Sequence, residues 1–149
     1  MSEPASINPQ IIEGLYCEAL VLADEVRAGF AMPGRLESFV TDEDLARVAL
    51  SCEGLRTTTR IMHAIAWLLN QRSYFTGDVS ERQLRRHGKL SHDLKGPDPE
   101  NLALLDPELC NLIAETDRFY ARLLRLEGEW HHAAPLRPSA VETLRQRLS

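Results

Sequence analysis

Apolar residues recur along this chain in steps of three and four, the spacing that places side chains on one face of an α-helix. Asn8 followed by Pro9 reads as a helix start, because an Asn side chain accepts from the free amides and Pro enters with φ already set. Ile12, Leu15, Ala19, Leu22 and Val26 then trace one stripe, which predicts a first helix over 9–31, ended by Met32-Pro33-Gly34. Thr41 with Asp44 is a capping-box-like start for a second helix over 42–72, where Leu45, Val48, Cys52, Leu55, Thr59, Met62, Ala66 and Leu69 keep a heptad step. A helix of that length spans roughly 46 Å at ~1.5 Å per residue, long enough to be the backbone of a small bundle. Its second half, Ile61 to Leu69, is apolar nearly all round, so the reading places the heptad stripe in the core and requires a second covered face.

Ser80 with Gln83 repeats the capping-box pattern and predicts a short helix through about His87, stopped at Gly88. The stretch HGKLSHDLKGPDPE, dense in Gly, Pro and charge, reads as a connection across the end of the bundle. Asp106-Pro107 opens a third long helix over 107–130, with Leu109, Ile113, Thr116, Tyr120, Leu123 and Glu127 in one row. After His131-His132 the segment AAPLRP breaks the pattern, and Ser139 with Glu142 precedes a one-sided tail carrying Val141, Leu144 and Leu148. The expected fold is all-α: an antiparallel three-helix bundle over 1–130, a short extra helix, and a C-terminal amphipathic tail over 131–149.

Composition agrees, with 23 Leu and 15 Ala against only 12 Val plus Ile. No apolar run approaches the ~20 residues that span a bilayer, and MSEPASINPQ lacks the basic and apolar stretches of a secretory signal. Three widely spaced cysteines without CxxC indicate neither a disulfide framework nor a thiolate zinc site, and a cytoplasmic setting is expected. The net charge of −5 hides an asymmetry: residues 1–54 sum to −7, residues 55–97 to +5 and residues 98–149 to −3. Arg82, Arg85, Arg86 and Lys89, in RQLRRHGK, concentrate the positive charge, which reads either as a solvated helix face or as a contact for an acidic partner.

Catalytic chemistry finds little support in the residues. His63 has no ligand-type neighbour at i±3 or i±4, His87 and His92 stand apart in a loop-like region, and His131-His132 point in two directions, so no metal is expected. Cys17, Cys52 and Cys110 each fall within a helix and read as core residues, and Asp42-Glu43-Asp44 suits the dipole of a helix N-terminus. GxSxG, Walker and GxGxxG patterns are missing, so neither an enzyme nor a cofactor is expected. A nucleic-acid partner is disfavoured by the negative net charge and by the want of a basic recognition helix. Trp67, Tyr74 and Phe75 cluster at the end of the second helix, either as partner anchors or as the buried end of the bundle.

The stretch from Ser51 to Gly77 resembles the signature of the RcdA family, the alphaproteobacterial regulators of CtrA degradation. The likeness rests on Leu55-Arg56 running into Thr57-Thr58-Thr59-Arg60, then Trp67-Leu68-Leu69 with Gln71-Arg72, then an aromatic turn ending at Gly77. Outside it the likeness is one of layout. The resemblance implies a dimeric, non-enzymatic three-helix adaptor that delivers cell-cycle substrates to the ClpXP protease, contacting the ClpX unfoldase, a response-regulator-like co-adaptor and protein substrates. On physical grounds, Ile61, Ile65 and Leu68 are the expected dimer seam, and Arg82, Arg85, Arg86 and Lys89 with Val141, Leu144 and Leu148 are the expected partner contacts. A small DNA-associated transcriptional regulator and a purely structural homodimeric bundle are the alternatives.

Overall fold

Side-chain caps set where the helices begin. In a computed structural model that describes residues 7–31, 43–133 and 147–148, α1 runs Pro9–Ala31, α2 Glu43–Phe75, α3 Glu81–His87, α4 Pro99–Leu102 and α5 Pro107–Ala133. No strand occurs among the described residues. Asn8 Oδ1 accepts from Ile11 N at 2.9 Å, and Asp106 Oδ1 accepts from Leu109 N at 2.8 Å, so each Asx-Pro start behaves as its sequence predicts. At α3 both halves of the capping box form, Gln83 N donating to Ser80 Oγ and Ser80 N to Gln83 Oε1. Thr41, the expected start of the second helix, lies outside the described residues, and α2 continues to Phe75, past the expected Arg72. The four-residue α4, capped by Asp98, falls inside what reads in the sequence as plain connection.

Contacts near the helix ends give the directions. Arg72 near the end of α2 holds Glu13 near the start of α1 at 2.6 Å, and Phe30 at the end of α1 lies beside Gly54, so α1 and α2 are antiparallel. Arg122 pairs with Glu18 at 2.6 Å, and a Cβ at Gly29 would stand 2.8 Å from the Leu112 side chain, so α1 is antiparallel to α5 as well. It follows that α2 and α5 point the same way, and the chain must travel back between them. It turns at Gly77, whose φ of +86° suits glycine, passes through α3, and returns along the α2–α5 seam as a strap over 88–98.

The core has two apolar clusters with a polar layer between. Ile12, Ala19, Leu22, Ile61, Ala64, Trp67, Leu68, Leu90, Phe119 and Leu123 form one; Ala49, Leu105, Leu109 and Ile113 form the other. Along both α2 and α5 the switch falls at buried polar residues: Glu53, Thr57 and Arg60 on α2, and Thr116 on α5. The expectation that the heptad stripe of α2 faces this core is overturned. Leu45, Val48, Leu55, Met62 and Leu69 are 55%, 59%, 71%, 63% and 42% exposed, while Ala46, Glu53, Thr57, Arg60, Ala64 and Gln71 on the opposite face are buried. The bonds Arg60 makes to the strap and Glu53 makes to α4 hold that face inward, and the apolar stripe then lies outward.

Candidate functional site

The signature stretch divides between the two faces of α2. Thr57, Arg60, Trp67, Leu68 and Gln71 are buried; Leu55, Thr58 and Leu69 are exposed; Arg56, Thr59 and Arg72 are half-buried. Arg60, only 2% exposed, donates from Nη1 to the Lys95 carbonyl at 3.0 Å and from Nη2 to Thr57 Oγ1 at 3.2 Å. Its Nε lies 3.9 Å from Asp117 Oδ1, an ion pair too long for a hydrogen bond, so that N–H is buried without an acceptor. Burial pulls the guanidinium below its ordinary range, with Asp117 and Glu53 acting against the shift. Glu53 Oε2 accepts from Arg56 Nη1 at 2.9 Å and from Asn101 Nδ2 at 2.8 Å, which fastens α4 to α2. Thr59 bonds back to the Leu55 carbonyl at 2.7 Å, and Arg72 stacks over the Tyr16 ring at 4.4 Å while bonded to Glu13. Much of the signature thus fastens α1, the strap and α4 onto α2.

Two residues from the row on α5 complete the fastening in a way the sequence reading missed. Glu127, 3% exposed, accepts from Leu90 N at 2.8 Å, with His92 Nε2 at 3.8 Å, and Tyr120 Oη donates to the Ser91 carbonyl at 2.7 Å. The Tyr120 phenol is pushed up to about 12 by burial first and by Glu127 second. The signal for this was present: a Glu standing in the row that carries Leu109, Ile113 and Leu123 announces a buried acceptor.

The expected dimer seam needs correction. Ile61 and Leu68 are 4% and 0% exposed inside the chain's own core, and Ile65 packs against the same cluster, so none of the three presents an open apolar face. The exposed apolar residues of α2 are those of the heptad stripe. Beside it Cys52, Leu55, Arg56 and Thr59 meet Asp93, Leu94 and Lys95 of the strap around a groove of about 360 Å³. Cys17 is exposed and Cys52 half-buried beside the outward stripe, so the core expectation fails for both, whereas Cys110, half-buried, packs against the second apolar cluster; burial pushes its thiol up, and it donates to the Leu102 carbonyl. Trp67 is buried at the bundle end, while Tyr74 and Phe75 are half-buried and meet edge to face with ring centroids 5.3 Å apart.

Arg82, Arg85, Arg86 and Lys89 are all exposed, on or just beyond α3, and Leu84 is the buried residue that seats this short helix. Arg85 pairs with Glu81 at 2.8 Å. A second groove, of about 350 Å³, lies between α1 and α5, where Arg118, Arg122 and Arg125 stand with Glu18 and Glu115. Val141 and Leu144 lie outside the described residues, and Leu148 is 85% exposed. Among the described residues no group of three or more His, Cys, Asp or Glu could hold a metal ion, and no helix is long and apolar enough to cross a membrane.

Fold and surfaces together define an all-α protein whose distinctive features are an exposed apolar stripe on α2 and an exposed basic cluster around α3. The chain belongs to the family described as Protein of unknown function (DUF1465), which it matches over residues 4–149. Comparison with curated proteins and comparison with solved structures each gave no match.

Proposed function

We propose that this protein is a non-enzymatic adaptor of regulated proteolysis, of the RcdA kind, that delivers cell-cycle substrates to ClpXP in the cytoplasm. One observation carries the reading: a single small bundle holds two exposed surfaces of opposite chemistry, the apolar stripe of α2 and the basic cluster Arg82, Arg85, Arg86 and Lys89 around α3. An adaptor works by holding two partners at once, which raises the effective concentration of a substrate at the unfoldase without altering cleavage. The basic cluster suits an acidic protein partner such as a response-regulator-like co-adaptor, and α3, capped at both ends and seated by Leu84, holds the charges on a fixed platform. The signature residues fit the same role through stability, because Arg60 and Glu53 keep the platform's connection to the bundle in place.

The test is capture by a proteolytically inactive ClpXP trap from cytosolic extract, with and without the protein. Specific proteins should enter the trap only when it is present, and reversing Arg82, Arg85 and Arg86 to Glu should reduce that entry. An unchanged set of trapped proteins, with response regulators present in the extract, would reject the adaptor role. Retention on DNA that falls steeply with salt would favour the transcriptional alternative.

A further inference from the structure

We infer that the groove between α1 and α5 docks an amphipathic helix of another protein, one that carries carboxylates at one end of its contact face and a Lys or Arg further along. The site is built by α1 and α5 alone, so it stands or falls separately from the α2 stripe and the α3 cluster used for substrate delivery. Glu115, Arg118, Arg122 and Arg125 follow one another on α5 in steps of three and four, which puts them in one row along the groove. Across from them Glu18, Leu22, Glu25 and Gly29 form a row of the same spacing on α1. Leu22 and Phe119, both buried, lie at the base of the arginine half, a space of about 350 Å³. Ala28, Gly29 and Leu112 line the acidic half, of about 340 Å³, and Glu115 belongs to both.

The occupant follows from charges that the chain leaves unanswered. Arg122 is held twice, by Glu18 at 2.6 Å and over the Phe119 ring at 5.2 Å, but Arg118 and Arg125 on either side of it are exposed and form no ion pair among the described residues. These two guanidiniums stand seven residues apart, about 10 Å along the helix, which is the separation of carboxylates two turns apart on a second helix. In the other half Glu25 and Glu115 share the groove and no Lys or Arg lines it, so a cation brought from outside relieves their repulsion. Charge thus changes sign along a surface that runs roughly 25 Å from Arg125 to Glu108, the length of nearly five helical turns. A free anion would use the arginine half alone. A helix with carboxylates at Arg125 and Arg118 and a cation at Glu25 and Glu115 uses both halves, and the furrow between two packed helices accepts the ridge of a third.

Fluorescence anisotropy of labelled synthetic helices of roughly 18 residues, titrated with the full chain, tests the assignment. Three such helices share one apolar face: the first bears glutamates seven apart and lysines a turn beyond them, the second glutamates at all of those positions, the third lysines at all of them. The first should bind most tightly, and Arg118→Glu with Arg125→Glu should weaken it about tenfold, as should Glu25→Lys with Glu115→Lys. All four residues are exposed, so both variants should keep the wild-type thermal midpoint. In the variant with both arginines reversed, the all-lysine helix should become the tightest binder, a gain that mere damage to the fold would not produce. Absence of binding by the first helix, or binding that both reversals leave unchanged, would overturn the inference. Equal affinity for the all-glutamate helix, with displacement by inorganic phosphate at constant ionic strength, would assign the arginines to a free anion and overturn it as well. Paired chains in sedimentation that separate when Arg118 and Arg125 are reversed would give the groove to a second copy instead.

Discussion

The two faces of α2 differ in a way that polarity alone does not foretell. The inward face holds Glu53, Thr57, Arg60 and Gln71 among its buried residues, whereas the outward face carries Leu45, Val48, Leu55, Met62 and Leu69 in the open. Among the inward polar groups, Arg60 reaches the Lys95 carbonyl and pairs at 3.9 Å with Asp117, and Glu53 holds Asn101. The outward apolar groups belong to neither apolar cluster of the core. The comparison teaches that a heptad-spaced apolar stripe need not face its own chain's core, and that buried polar residues with partners on other elements can decide which way a helix faces.

Breaking the inward face should have the largest effect. Arg60→Met leaves the Lys95 carbonyl and Thr57 without their donor and should cost about 2–4 kcal/mol in urea unfolding. A Met that proved neutral would mean the polar layer does not hold the fold. Glu127→Ala, which strands the Leu90 amide, should cost about 1–3 kcal/mol and speed hydrogen exchange through the strap, with Glu127→Gln closer to wild type because it keeps an acceptor.

Tyr120→Phe should cost about 1 kcal/mol and sharpen the picture through pH. The folded phenol is raised to about 12 from an ordinary value of 10, so folding favours its protonated form. That stabilisation is complete below pH 10 and is lost as pH rises from 10 towards 12. Unfolding midpoints compared over that window should therefore fall more steeply for wild type than for the Phe variant. Ser80→Ala should have the smallest effect, about 1 kcal/mol confined to α3, read as faster amide exchange there with the global unfolding midpoint unchanged.

Local chemistry was the most legible part of the sequence. Asn8-Pro9, Ser80 with Gln83 and Asp106-Pro107 open helices as expected, because caps depend on residues within one turn. The orientation of α2 was not legible, because it depends on partners brought from the strap, α4 and α5, 35 or more residues away. For the same reason Ile61 and Leu68 read as a seam: apolar excess on a helix has no sign until a neighbour is placed beside it. The parallel course of α2 and α5 was also hidden, since it requires the Gly- and Pro-rich connection to run back along the bundle, held by Glu127 and Tyr120, when composition alone describes a crossing at its end. The basic cluster, by contrast, stayed where its sequence put it, exposed on a short capped helix.

The two-faced character of α2 is tested most directly by solvent paramagnetic relaxation of the Met62 methyl group and the Trp67 indole N–H across a dilution series. The account predicts a Trp67 signal shielded at every concentration and a Met62 signal open to the probe at the lowest. A Met62 methyl as shielded as the Trp67 indole at the lowest concentration, or a Trp67 indole open to the probe, would contradict it.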